Sequence, residues 1–220
     1  MEQIVDFFNG YGIDNLALDC WSSFIRVIAG VSLAIIIGIP LGLLRSMLPS
    51  RLKHNNLFKF ILEAPKFPPP IAWIPLVVII FGISELSAYI IVFIGAVSPI
   101  FTNTYEGAES IPSVIKNTAR SLEVKGLKYI IFIIFPSALP QIFTGIRVGV
   151  SMGWMSVIAA EMVSGQSGLG YAIQLNRLNL QYNGVLIDIF MIGLIGFILF
   201  EAVVFVEKRL IPWHVKSRGL

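Results

Sequence analysis

The sequence predicts an all-α membrane protein of about five spanning helices, and three observations predict it. Of the 220 residues 56% are hydrophobic and only 13% charged, with a mean hydropathy of +0.82, a balance foreign to soluble domains. The apolar residues gather into five runs separated by short polar segments. Thirteen of the sixteen Lys and Arg residues fall in three of those segments. A spanning helix needs roughly 20 mostly apolar residues, so the length leaves no room for a sizeable soluble domain.

Residues 1–21 carry Glu2, Asp6, Asp14 and Asp19 and no Lys or Arg, the reverse of a secretory signal. They are expected to stay uncleaved, with Ile4 to Phe8 and Leu16 to Trp21 lying amphipathically at the interface outside the membrane. Span one is Ser22 to Leu44, with Arg26 near its start placed to snorkel toward head groups. Span two, Phe60 to Gly82, holds Pro65, Pro68, Pro69, Pro70 and Pro75. Only Ile71 to Gly82 reads as clean helix, about 18 Å against a hydrocarbon core of about 30 Å. Irregular backbone completes the crossing, tolerated only where protein buries it or water lines it. Spans three, four and five are Leu86 to Tyr105, Gln141 to Val163 and Val185 to Val206. The run Tyr129 to Phe135 is too short to span, and either lies along the membrane face or leads into span four.

The basic residues flank these runs unevenly. Arg45, Arg51, Lys53, Lys59 and Lys66 separate spans one and two; Lys116, Arg120, Lys125 and Lys128 separate three and four; Lys208, Arg209, Lys216 and Arg218 follow five. By the positive-inside rule the N-terminus is outside and the C-terminus cytoplasmic. The division expected is therefore 1–21, a membrane domain 22–206 with a cytoplasmic loop 106–140, and a tail 207–220. A net charge of +3 does not suggest nucleic acid. Cys20, His54 and His214 are too few for a disulfide or a zinc site, and no G-x-x-x-x-G-K-S/T run could cradle a nucleotide.

The cytoplasmic loop is the most informative stretch. Asn117 to Pro136 begins with small residues, Thr118, Ala119 and Ser121, among Arg120, Lys125 and Lys128, a pattern suited to a short helix docking in a groove; the bland alternative is a basic connector. Here the chain resembles the permease subunits of bacterial ABC importers. Their coupling loop reads Glu-Ala-Ala, three residues, Gly, nine residues, Ile, any residue, Leu, Pro. Asn117, Thr118, Ala119, Glu123, Ile133, Phe135 and Pro136 stand at those seven positions, and four of them depart from the pattern. The change from Gly to Glu123 matters most, since a tight turn is lost there or shifted to Gly126.

The resemblance extends over roughly Phe24 to Trp213 and is closest to the nitrate, sulfonate and taurine group. It rests on Gly38 to Gly42, Pro69 to Leu76, Phe81 to Ile83, Asn103 to Gly107, Ala119 to Leu122, Pro136 to Pro140, Thr144 to Arg147, Ala159 to Met162 and Gly168 to Tyr171. It implies the type I importer permease fold, a homodimer in the inner membrane of a prokaryote, two cytoplasmic ATPase subunits that bind ATP and Mg, and an extracytoplasmic solute-binding protein. Coupling would run through Asn117, Thr118, Ala119, Arg120, Ser121, Leu122, Glu123 and Pro136. The chain itself would bind no cofactor or metal and would be no enzyme. The substrate implied is a small anion, with another small metabolite such as a thiamine pyrimidine precursor as the alternative.

Residues within spans are the pathway candidates. Arg147 and Glu161 are about 21 Å apart along one helix, so each needs its own partner; either they face the transport line, Arg147 attracting the anion, or they make structural pairs between helices. Asp188 and Glu201 are weaker candidates near span ends. Trp73 and Pro75 either line the pathway, as broken spans do, or form a kinked structural hairpin. Trp154 and Met155 are candidates for packing. Ser164 to Gly170 lacks a Lys and reads as a turn or gate, and Gly145, Gly149, Ser151, Gly153, Gly193 and Gly196 read as sites of close packing. An ATP-independent transporter would call for inverted repeats, and a membrane enzyme for paired carboxylates or a histidine near one; neither pattern is visible.

Overall fold

The computed structural model describes residues 13–49, 57, 60 and 66–212, and their regular structure is helical. Helix α1 (Ile13–Met47) is followed by a 3-10 turn (Pro70–Trp73), α2 (Ile74–Phe81), α3 (Glu85–Glu109), α4 (Ser113–Ser121) and α5 (Gly126–Tyr129). A π-helical turn (Ile130–Ile134) then feeds α6 (Phe135–Ser164), and α7 (Leu169–Leu178) and α8 (Tyr182–Leu210) complete the chain. Four stretches are long and apolar enough to cross a membrane: Asn15–Met47, Glu85–Glu109, Gly126–Val163 and Tyr182–Leu210. Of the expected second span the described residues include the short apolar helical stretch Pro70–Phe81, which is not among those four. Pro65, His54 and His214 lie outside the described residues.

Three boundaries differ from expectation. Residues 13–21 are continuous with span one, forming the opening turns of α1, with Leu16 and Asp19 buried and Leu18 and Trp21 exposed. Span four starts at Gly126 rather than Gln141, because Tyr129 to Phe135 leads into it. Pro136 has no N–H to donate to the carbonyl four residues back, and the turn ahead of it widens to π geometry. Segment 164–184 contains α7, whose buried Leu169, Ala172 and Asn176 recur at helical spacing.

Helix α3 is the centre of the bundle, packed most extensively against α6 and α1. Small residues make the approach possible. A Cβ on Gly30 of α1 would stand 2.5 Å from Val92, and one on Gly42 2.8 Å from the Phe101 carbonyl. From the other side, Cβ atoms on Gly145 and Gly149 would meet Asn103 and Ile100 at 2.8 and 2.9 Å. Between membrane helices, where lipid offers no hydrophobic drive, such contact is the main source of association. Gly153 and Gly196 pack closely as well, against Val31 and Trp154, whereas Gly193 has open space beside it within this chain.

Candidate functional sites: a buried charge network and an exposed loop helix

At one end of the bundle, residues 165–168 and the start of α7 are held by side chains from three helices. Arg26 of α1 is 5% exposed and uses all five of its N–H groups. Nε and Nη2 donate to the Glu85 carboxylate at 2.7 and 2.5 Å, Nη1 donates to Glu161 and to the Ser167 carbonyl at 2.7 Å each, and Nη2 donates to Ser167 Oγ at 2.8 Å. Such a planar fork matches carboxylates as no ammonium can. Arg26 therefore does not snorkel: two carboxylates hold it, Glu161 buried in the bundle and Glu85 exposed at the start of α3.

The same network caps α7. Gly168 N–H donates to Asp19 at 2.6 Å, Leu169 N–H to Ser23 Oγ at 2.9 Å and Gly170 N–H to Glu161 at 3.0 Å. Ser23 in turn donates to Glu161 at 2.9 Å. Three orphan amides of a helix start thus find partners on α1 and α6, with carboxylates at the positive end of its dipole. The Gly-Leu-Gly of this segment follows directly. Gly168 has φ +104, and a Cβ there would sit 2.4 Å from the Glu161 carboxylate; a Cβ on Gly170 would sit 2.3 Å from the Ile158 carbonyl.

The remaining pathway candidates do not converge. Arg147 pairs with Glu207 of α8 at 3.5 Å. Trp154 is core, donating from Nε1 to the Ile192 carbonyl at 3.1 Å, while Met155 is 71% exposed rather than packed. Trp73 lines a cavity of about 330 Å³ with Leu41, Lys66, Ile94, Val97 and Phe101, and Pro75 is exposed. Asp188 is fully buried, not at a span end, and accepts from Asn176 Nδ2 at 2.7 Å; Glu201 is exposed. The roles of Arg26, Glu85, Asp19, Ser23, Ser167 and Asn176 escape sequence reasoning, because their partners come from remote segments.

At the opposite ends of α3 and α6 lies the loop helix α4. Asn117, Thr118, Arg120, Ser121, Leu122 and Glu123 are exposed, while Ala119 is 2% exposed and turned inward. Pro136 is half-buried at the head of α6. The helix ends in a Schellman motif: Val124 N–H donates to the Ala119 carbonyl and Glu123 N–H to the Arg120 carbonyl, each at 3.0 Å. The tight turn is therefore not lost; Glu123 makes it in the left-handed region at φ 53, and Gly126 follows at φ 63. A non-glycine residue held there costs about 1–2 kcal/mol.

Long apolar helices, an Arg26–Glu161 pair inside the bundle and one exposed loop helix define a polytopic membrane protein. The chain belongs to the family described as binding-protein-dependent transport system inner membrane component, which it matches over residues 22–212. It is 33% identical over 211 residues to the nitrate import permease protein NrtB of Synechocystis sp., covering 96% of this chain and 76% of that protein. It is 32% identical over 193 residues to the taurine transport system permease protein TauC of Escherichia coli, covering 88% and 69%. A chain of the inward-facing MetNI methionine ABC transporter superposes with a TM-score of 0.72 at 17% identity, covering 90% of this chain and 96% of that one, a likeness of fold. The chain is thus an inner-membrane permease component of the type I importer fold, and the resemblance read from its motifs holds.

Proposed function

We propose that two copies of this chain form the translocation pathway of an ATP-driven importer for a small anion, with nitrate, sulfonate or taurine as the class. Separate ATPase subunits dock on the 113–136 loop, and a solute-binding protein delivers substrate at the end that carries Arg26 and α7. In this reading the N-terminus is outside and the C-terminus cytoplasmic, which the placement of the basic residues supports. Closure of the ATPase pair on ATP moves the loop helices, and the bundles tilt between inward- and outward-open states. ATP and Mg belong to the ATPase, because this chain has no phosphate-binding loop.

The observation that carries this reading is α4 itself: a short helix that exposes Val114 and Ile115 as well as Asn117, Thr118, Arg120 and Ser121, mounted through the π-turn on span four. A push on α4 is thereby passed to a helix packed along α3. The class is favoured by relatives named for nitrate, taurine and bicarbonate, solutes that share an anionic oxygen group.

The test is uptake of labelled nitrate, taurine and bicarbonate into proteoliposomes holding the complex purified through this chain. ATP-dependent uptake of one of them, abolished by Leu122→Glu, is the expected result. Uptake of none discards the anion class, and uptake without ATP discards the importer mechanism.

A further inference from the structure

Position 123 closes α4 in a backbone conformation that only glycine adopts without strain, yet the sequence places a glutamate there. Leu180 closes α7 in the same region, so the conformation alone assigns no role, and the surroundings of the Glu123 carboxylate decide. The Glu123 side chain is exposed and, among the described residues, makes no ion pair or hydrogen bond. That holds although Arg120, Lys125 and Lys128 lie within five positions of it. Its surroundings are apolar as well as basic: Leu122 is 71% and Leu127 69% exposed. The one carboxylate among the four basic residues of 113–136, unpaired among the described residues and rimmed by leucines, is built to meet a cation from outside.

We propose that Glu123 determines which ATPase subunit this chain accepts: its carboxylate takes a Lys or Arg side chain on the ATPase surface that seats α4, with Leu122 and Leu127 closing apolar surface around the pair. The inference rests on the reading of this loop as the ATPase-docking element. A basic loop alone repels such a cation, so Glu123 supplies both attraction and register. A subunit bearing an acid at the facing position is rejected by the same charge.

The experiment uses the complex purified through a tagged copy of this chain. Its ATPase subunit is stripped with urea and titrated back onto permease variants at about 50 mM and about 300 mM salt. Glu123→Gln keeps size and backbone but not charge, and is expected to weaken rebinding about tenfold at the lower salt and to shrink the difference between the two salts. Glu123→Gly is expected to weaken rebinding similarly while melting at a higher temperature, which separates recognition from folding. Leu122→Glu reports on the loop as a whole. Loss with Leu122→Glu but wild-type rebinding with Glu123→Gln overturns the role of Glu123 and leaves the docking loop standing. Wild-type rebinding with both overturns the two together.

Discussion

Arg26 spends five N–H groups on two carboxylates and a serine, so nothing of its fork is left for lipid or solute. Replacing it by Met strands Glu161, which is 2% exposed, and removal of one partner of a buried pair costs about 3–5 kcal/mol. The double variant Arg26→Met/Glu161→Gln is expected to recover about half of that, measured by thermal unfolding in detergent. Gly168→Ala adds a methyl where Glu161 stands at 2.4 Å. A loss of about 2 kcal/mol or more is expected, and an unchanged melting temperature would remove the explanation for the glycine. A pair between helices was one of the two readings open for Glu161, but its partner was not legible beforehand: the partners of Arg26 are 59 and 135 residues away in sequence, and hydropathy marks only that a charge is embedded. The separate fates of Arg147 and Glu161 could be read, since helical rise alone keeps them apart.

At the scale of elements, two helices end on left-handed residues other than glycine. Leu180 ends α7 at φ 57 as Glu123 ends α4, with Gln181 N–H donating to the Asn176 carbonyl at 2.9 Å. Leu180→Gly is therefore expected to raise stability by about 0.5–1 kcal/mol, read from the same melting curves. Helix α8 is the least buried of the spans, at 6% of its apolar window. Polar contacts pin it: Asn176 to Asp188, Trp154 to the Ile192 carbonyl, and Arg147 to Glu207. Asn176→Ala leaves the fully buried Asp188 without that donor, at a cost of about 1–3 kcal/mol. Hydrogen exchange across α8 should accelerate while α3 stays protected; equal acceleration in both would show that the pins do not act locally. Spans one, three and five were legible because long apolar runs have one reading in a membrane. The second span was legible as irregular from its prolines. Helix α7 was missed because Ser, Gly and Gln ahead of it look like loop, and the signal that could have found it was the 169, 172, 176 periodicity.

For the molecule as a whole, the fold was readable from run length and basic-residue placement, and the family from ordered short motifs spread over the chain. The loop was readable as a helix but not as to its faces. Ala119, which the motif places at the docking surface, turns inward, so an Ala119→Arg change would disturb the packing of α4 before it tested any partner. The exposed Thr118 is the better probe. A photo-reactive residue placed at Thr118 in cells, followed by purification of the adduct, tests most directly whether this loop meets the ATPase. The expected adduct contains a nucleotide-binding subunit and forms on the cytoplasmic side. An adduct with the solute-binding protein, or labelling of a cysteine at Lys125 from outside the cell alone, would contradict it.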